Sequence, residues 1–398
     1  MRTILGMTRI ANAKVLVSGA GIAGTALAWW LAEHGARVTV VERADAPRDG
    51  GYKVDIRGAA LTVIERMGLL DAVRSQRTGV RTGSVVDATG RRVASMDADT
   101  FGGRVHDDAE LLRGDLARSL REATGDRVDY RFGDAITALG SAVTFESGRQ
   151  ETYDLVVGAD GLRSRTRELA FGEGGVHDLG HYVAIYSVPN HLGLDREELT
   201  YVGPGRTALV YSTAGQTDAK AMFLFTDPGG ARPRGREEQE AFLAEAYAHE
   251  GWEVPRLLDA LAGADDFYFD SISQARLDGW SRGRVTLVGD AAYCASPASG
   301  QGTSLALVGA YVLAGELATA GLDDGPRRYE ERMRPFVERN QRLGPANIKR
   351  MVLRSRGQVR MSMGMLAVLN RLPGKERLLA KVVEPIHRAA TAITLPVY

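Results

Sequence analysis

The chain is poor in cysteine, in net charge and in long apolar runs, and each shortage excludes a class of protein. A single cysteine, Cys294, among 398 residues excludes an internal disulfide and a cysteine-based metal cluster, and it fits a reducing compartment. Lys and Arg together number 50, as do Asp and Glu, so no net field attracts nucleic acid or an anionic membrane. None of the 7 histidines stands at a metal-ligand spacing from another. We therefore expect no metal, no nucleic-acid partner and no membrane partner.

Targeting signals and membrane spans are also missing from the sequence. The first residues contain Arg2 and Arg9 but no apolar core long enough for a signal peptide. No stretch approaches the roughly 18 uncharged apolar residues of a membrane span. The sequence predicts a soluble, cytoplasmic protein with one large domain that carries a smaller inserted one.

A glycine-rich turn lies between a buried strand and an apolar helix near the start of the chain. The turn reads Gly19-Ala20-Gly21-Ile22-Ala23-Gly24. In such a turn the first glycine allows a tight bend, the second admits a pyrophosphate, and the third lets helix and strand pack closely. The next strand ends at Glu42, where an acid commonly binds ribose hydroxyls, and the adjacent Arg43 is a further candidate cofactor contact. These features predict a dinucleotide site, for NAD or FAD alike.

Later segments repeat the order of strand, turn and helix. Gly289-Asp290 follows an apolar run, and Gly300-Gln301-Gly302 opens a long apolar helix whose N-terminus suits an anion. Another strand ends at Asp160-Gly161, close to Arg163. This Asp-Gly pair is either a simple turn or part of an edge that faces a nucleotide. Arg113 lies just off the apolar stripe of its helix and is either a surface residue or a cofactor contact.

Alternating apolar segments between about 178 and 270 predict a mostly antiparallel sheet that covers a cleft. We predict a nucleotide-binding domain of 1–177 and 271–340, a substrate-binding domain of 178–270 and a helical segment of 341–398. Only one face of each strand can line a cavity. The substrate-contact candidates are Tyr186, Tyr211, Phe223 and Pro297, with Tyr182, Met222 and Phe225 as further apolar residues of the sheet.

In this order the motifs resemble the three fingerprints of the class A FAD-dependent aromatic hydroxylases, the para-hydroxybenzoate hydroxylase superfamily. The Gly-Gly-Tyr-x-Val-Asp segment at 50–55 and the chain length are most similar to the branch that contains the tetracycline-inactivating monooxygenases. The resemblance implies an α/β fold with a Rossmann-like FAD-binding domain of the glutathione reductase type and an inserted sheet domain. Tyr293, Cys294 and Thr303 depart from residues common in that family.

The resemblance also implies a role for each motif residue. The glycines at 19, 21 and 24 are expected at the FAD pyrophosphate, Glu42 at the ribose, Arg113 and Asp290 at the ribityl and phosphate region, and Gly300 to Gly302 beside the flavin ring. Asp55 is expected to contact FAD, Asp160 both FAD and NAD(P)H, and Arg48 and Arg163 NAD(P)H.

The reaction implied by the resemblance is carried by the cofactor rather than by a protein nucleophile. NADPH or NADH reduces FAD, reduced flavin adds O2 at C4a, and the hydroperoxide passes one oxygen atom to an aromatic or polyketide-like substrate. Two alternatives stay open: a FAD-dependent dehydrogenase or reductase, and a non-redox cyclase or ligand-binding protein that keeps FAD as a structural element. Hydroxylation and Baeyer–Villiger insertion, and a monomer and a homodimer, are equally compatible with the sequence.

Overall fold

A computed structural model describes residues 8–47, 51–105, 107–227, 229–230, 233–372 and 375–398, of which 375–382 are described by their backbone alone. Arg48, predicted to contact NAD(P)H, lies outside these residues. The strands are β1 Lys14–Ser18, β2 Arg37–Glu42, β3 Lys53–Ile56, β4 Thr82–Val86, β5 Arg92–Asp97, β6 Ala109–Leu112, β7 Val128–Phe132, β8 Ile136–Leu139, β9 Val143–Phe145, β10 Gln150–Glu151, β11 Leu155–Gly158, β12 Val176–Val188, β13 Glu197–Gly203, β14 Arg206–Tyr211, β15 Ala219–Thr226, β16 Tyr268–Ala275, β17 Ser281–Arg282 and β18 Val285–Leu287. The helices are α1 Ile22–Glu33, α2 Ala59–Arg66, α3 Leu70–Ser75, α4 Ala98–Gly102, α5 Arg113–Thr124, α6 Arg165–Phe171, α7 Gly235–Tyr247, α8 Val254–Asp259, α9 Asp290–Tyr293, α10 Gly302–Gln341, α11 Leu343–Met351, α12 Arg356–Arg371 and α13 Lys375–Ala390.

A six-stranded sheet in the order β17-β18-β11-β1-β2-β7 carries the predicted nucleotide motifs. All pairs from β18 to β7 are parallel, and only the edge strand β17 is antiparallel. β1 is buried on both faces from Val15 to Ser18, which explains its unbroken apolar run. Because the carboxyl ends of parallel strands share one edge, the turns after β1, β2, β11 and β18 meet there.

The first helix packs on the long helix α10, and apolar side chains of both belong to one core cluster with those of β1 and β11. Residues Ser304 to Ala318 of α10 are all buried, and the helix is interrupted at Gly321, whose φ is +85°. By length and hydropathy α10 contains one window apolar enough to cross a membrane, but 78% of that window is buried within the fold. Its apolar composition therefore reflects a core position.

A second sheet of seven strands, in the order β16-β12-β15-β14-β13-β4-β5, is antiparallel except where β13 pairs with β4. β4 and β5 precede residue 98, so this sheet extends beyond the predicted span of 178–270. The parallel pairing of Glu197 with Thr82 joins segments more than 100 residues apart, and a local sequence pattern does not predict such a contact. The division into domains stays a prediction.

The seven-stranded sheet separates two environments. One face packs on α7 and α8 through a cluster that includes Tyr186, Phe223 and Leu243. The other face, with Val183, Ile185 and Leu224, meets Ile348 and Val352 at the end of α11. α12 then packs on β5 and β13, and α13 on α10 and α4, so the three C-terminal helices close one side of the space beneath the sheet.

Candidate active site

The glycine turn after β1 has the backbone geometry that its sequence predicts. Gly19 has a φ of +106°, and a Cβ there would lie 2.6 Å from the carbonyl oxygen of Ala159 at the end of β11. A Cβ at Gly24 would lie 2.0 Å from the carbonyl oxygen of Gly19. Both positions therefore require glycine for packing within the fold. Gly21 differs, since its φ of −75° suits any residue.

The N-terminus of α1 forms an electropositive corner beside this turn. Gly21 is the N-cap of α1 and offers no capping side chain, which leaves the first backbone N–H groups without a side-chain acceptor. An Arg113 guanidinium nitrogen lies 3.7 Å from the Cβ position at Gly21. Glu42 accepts hydrogen bonds from the backbone N–H groups of Ala20 at 2.9 Å and Ala44 at 3.0 Å. A helix N-terminus next to an arginine is suited to a phosphate group.

The Gly289-Asp290 turn lies directly against the first one. Gly289 has a φ of +64°, and a Cβ there would lie 2.7 Å from the Cβ of Ala23 in α1. Asp290 begins α9 and is exposed to the cavity described below, and one of its carboxylate oxygens lies 4.0 Å from the Cβ position at Gly302. Enclosure by protein raises the pKa of Asp290, and this effect outweighs the opposing ones of Cys294 and Arg113. The two motifs, predicted from opposite ends of the chain, therefore form one continuous site.

The third motif has contacts of another kind. The Asp160 carboxylate accepts hydrogen bonds from the backbone N–H and the hydroxyl of Thr166, both at 2.9 Å, and from the Ser164 hydroxyl. Arg163 donates to the Ser271 hydroxyl at 2.9 Å and to Asp270 at 3.2 Å. These contacts stabilise the start of α6, while the adjacent Gly161 lines the cavity. Cofactor roles for the Asp160 and Arg163 side chains stay predictions.

A cavity of about 710 Å³ joins these turns to the seven-stranded sheet. Its nucleotide side is lined by Gly21, Arg113, Asp290, Gly300 and Gly302. Its far side is lined by apolar residues of the sheet and of the C-terminal helices: Val183, Ile185, Leu209, Met222, Leu224, Met351, Leu353, Met363 and Leu366. Tyr211 and Pro297, two of the predicted substrate contacts, also line it. Two predicted cofactor contacts do not line the cavity. Arg43 is exposed outside it, and Gln301 is fully buried at the start of α10.

The placement of Tyr186 and Phe223 in the substrate cavity is wrong. Both side chains are fully buried on the opposite face of the sheet, where their rings stack at 5.7 Å and the Tyr186 hydroxyl donates to the Leu257 carbonyl at 2.9 Å. Successive side chains of a strand point to opposite faces. The neighbours Ile185 and Met222 therefore occupy the cavity wall, and aromatic character alone did not indicate the right face.

Sequence reasoning missed a cluster of buried and half-buried charges that also lines the cavity. Lys53 forms ion pairs with Glu198 and, at 3.1 Å, with Glu110, and Glu110 pairs with Arg104 at 2.5 Å. Asp55, predicted to contact FAD, pairs with Arg104 at 3.4 Å and with Arg57 at 2.8 Å. The spacing of Lys53, Asp55 and Arg57 at every second residue was the available signal, because it puts all three on one face of an extended segment.

Lys53 and Arg104 hold the Glu110 carboxylate in its ionised form. Burial alone would raise the pKa of Glu110, but Lys53 and Arg104 lower it below its ordinary value. Glu110 also accepts a hydrogen bond from the Thr78 hydroxyl at 2.6 Å. A network in which every charge is paired gives the cavity a polar end beside the apolar residues of the sheet.

Two residues that depart from the resembling family have core positions. The Tyr293 hydroxyl lies 3.0 Å from the Tyr329 hydroxyl, and both side chains are fully buried. Burial raises the pKa of the Cys294 thiol well above its ordinary value, so it stays protonated. Among the residues that the structure describes, no group of acidic, histidine or cysteine side chains is arranged to hold a metal ion.

Residues 12–342 match the family described as FAD binding domain. The chain belongs to this family. The match spans both glycine turns and the whole seven-stranded sheet. It resolves the choice between NAD and FAD that the first turn left open, in favour of FAD. The observed site fits this cofactor, because Gly21 leaves room for close backbone approach and the N-terminus of α1 with Arg113 is suited to its phosphates.

Individual relatives confirm the predicted class of enzyme. An uncharacterized protein of Mycobacterium tuberculosis is 47% identical over 84% of this chain and 93% of its own length. A flavin-dependent monooxygenase from an unknown prokaryotic organism is 40% identical over 83% of this chain and 88% of its own length. The crystal structure of the tetracycline destructase Tet(51) is similar over 98% of this chain and 100% of its own, with a TM-score of 0.85 and 36% identity. The protein is a class A flavin-dependent monooxygenase of the tetracycline destructase-like type.

Proposed function

We propose that the protein inserts one atom of O2 into an aromatic or polyketide-like small molecule, with NADPH or NADH as the reductant. When bound, FAD supplies the redox chemistry, since reduced flavin activates O2 and transfers one oxygen atom while the other leaves as water. The observation that carries the proposal is a single cavity that runs from the nucleotide turns to an apolar sheet face. The names of the flavin-dependent monooxygenase and tetracycline destructase relatives support it.

The nucleotide side of the cavity is assigned to the cofactor. The N–H groups at the start of α1, together with Arg113, would hold the pyrophosphate. Glu42 would accept hydrogen bonds from the adenosine ribose, because a carboxylate has about four acceptor positions and the turn uses two of them. Asp290 would bind the ribityl chain. Gly302, at the N-terminus of α10, would stabilise negative charge on the nearby ring edge.

The sheet side is assigned to the substrate. Ile185, Leu209, Met222 and Leu224 present an apolar surface, which favours a flat hydrophobic ring system and excludes water from the reacting centre. The buried charge cluster defined by Lys53, Asp55, Arg57, Arg104, Glu110 and Glu198 would meet the polar groups of the substrate at one end. The protein thereby orients the substrate, and the oxygen transfer itself needs no protein nucleophile.

The test combines three measurements on the purified protein. A flavin absorption spectrum comes first, because a colourless protein that takes up no FAD would contradict the assignment of the site. NADPH and NADH oxidation is then followed with a panel of tetracyclines and aromatic polyketides, together with O2 consumption. Isotopically labelled O2 finally shows whether the product carries one new oxygen atom.

The outcomes separate the competing functions. Substrate-stimulated NAD(P)H oxidation with one labelled oxygen in the product supports the monooxygenase proposal. Flavin reduction with an unlabelled product would identify a dehydrogenase or reductase. Tight FAD binding without any NAD(P)H-dependent reduction would identify the non-redox alternative.

A further inference from the structure

Helix α12 carries an exposed apolar stripe on the outer wall of the cavity. Met361, Met365, Val368 and Leu372 are 71%, 65%, 61% and 46% exposed. Their spacing of four, three and four residues puts them on one face of the helix. They are four of the five exposed large apolar side chains among the described residues. Scattered single residues of this kind are ordinary, but a contiguous stripe indicates a binding surface.

The chain segment that contains α12 carries charge of a single sign. From Arg339 to Lys375 the chain contains nine Lys or Arg residues and no Asp or Glu, although the chain as a whole is balanced. Arg356 and Arg360 are exposed on α12, and within the described part of the chain neither has an acidic partner at ion-pair distance. The expectation of no membrane partner was based on the balanced charge of the whole chain, and that total does not reveal a local basic segment.

We propose that α12 and the basic segment 339–375 dock the protein on an anionic lipid membrane. An amphipathic helix with a basic border lies in the headgroup region with its apolar face toward the acyl chains. The opposite face of α12 contributes Ser362, Met363 and Leu366 to the cavity wall. Docking would therefore bring the cavity beside the bilayer, where apolar molecules collect.

Other occupants of this surface fit the observations less well. A second copy of the chain related by two-fold symmetry would juxtapose two basic segments, and like charges facing each other oppose association. Nucleic acid would use the basic residues but leave the apolar stripe in water.

The test measures co-sedimentation of the purified full-length protein with lipid vesicles. We expect binding to vesicles of phosphatidylcholine with one-third phosphatidylglycerol, little binding to phosphatidylcholine alone, and a steep loss of binding with added salt. The variant M361E/M365E should lose binding, because it puts two carboxylates into the apolar face. R356Q/R360Q should bind about 25-fold more weakly, from about fivefold per lost cation.

Matched controls separate docking from unfolding. V397E alters an apolar residue that is 88% exposed but outside the basic segment, and it should bind as the wild type does. R91Q/R165Q removes two exposed arginines elsewhere and should also bind normally. Each variant is compared with the wild type in thermal unfolding. The proposal is overturned if the wild type ignores anionic vesicles, or if folded M361E/M365E binds them normally.

Sedimentation velocity without lipid completes the test. A wild-type dimer that M361E/M365E converts to a monomer, together with no vesicle binding, would assign the stripe to a second copy and overturn membrane docking. The measurement does not depend on catalysis, so its failure would leave the proposed oxygen insertion intact.

Discussion

Two glycines of the same turn should differ in how an added methyl group changes the stability of the fold. At Gly24, a Cβ would lie 2.0 Å from the Gly19 carbonyl oxygen and 3.2 Å from the Ala159 Cβ, so α1 must move by about 1 Å to reach a tolerable contact. Overpacking of this kind costs about 1–3 kcal/mol. Gly24→Ala should therefore lower the free energy of unfolding of the FAD-free protein by that amount. FAD binding should weaken as well, because the turn is displaced.

Gly21→Ala is the matched variant. Gly21 has ordinary backbone angles, and the nearest atom to its Cβ position is the Arg113 guanidinium nitrogen at 3.7 Å. Such a substitution should keep the free energy of unfolding within about 1 kcal/mol of the wild type, because it restricts the unfolded chain but puts alanine at the N-cap of α1, where glycine is preferred. The methyl group nevertheless occupies the space through which a pyrophosphate reaches the backbone, so FAD affinity should fall at least about tenfold, or about 1.4 kcal/mol.

The assays are denaturant unfolding of the FAD-free variants and titration with FAD, followed by flavin fluorescence. The reasoning is refuted if Gly21→Ala unfolds as readily as Gly24→Ala, or if Gly21→Ala binds FAD as the wild type does. The first result would mean that both glycines serve packing. The second would mean that the phosphates do not approach this backbone.

Three further predictions concern single side chains in or near the cavity. Asp290→Ala should sharply reduce the FAD retained after gel filtration, with secondary structure unchanged by circular dichroism; full retention would show that the Gly-Asp turn does not hold the cofactor. Glu110→Gln should destabilise the fold by about 1–3 kcal/mol, because it removes the carboxylate between Lys53 and Arg104, although these cations keep their pairs with Glu198 and Asp55. The pKa of Glu110 in the folded protein lies below its ordinary value of 4.5. The stability difference between wild type and Glu110→Gln should therefore be complete above pH 4.5 and should be lost as the pH falls through the lower pKa of the folded state. Unfolding curves measured across this pH range test the prediction. Met222→Ala should change substrate KM with little loss of stability, whereas the adjacent Phe223→Ala should cost about 3–5 kcal/mol of stability and leave KM near the wild-type value.

The sequence predicts local features well where one residue type alone satisfies a backbone requirement. The positive φ values of Gly19 and Gly289 and the close approach at Gly24 are of this kind, and each follows from the order of strand, turn and helix. The parallel sheet also follows, because strands buried on both faces have unbroken apolar runs. The family and its cofactor follow from the same turns taken in order.

Contacts between distant segments were beyond the reach of local patterns. The addition of β4 and β5 to the second sheet depends on a pairing across more than 100 residues. The choice of Ile185 and Met222 over Tyr186 and Phe223 for the cavity wall depends on which face of that sheet meets α7 and α8. Alternation predicts two faces but does not say which one is covered.

The sequence by itself determined the turns, the parallel sheet and the family, because glycine turns and buried strands depend on neighbours along the chain. Only the tertiary structure decided that Asp290 lies beside the first turn and that Lys53, Glu110 and Glu198 form one cluster. It also decided that α12 lines the cavity with one face and exposes an apolar stripe on the other. These features depend on which surfaces meet in three dimensions. Opposite charges and apolar faces that lie far apart along the chain influence each other only after the fold has brought them together.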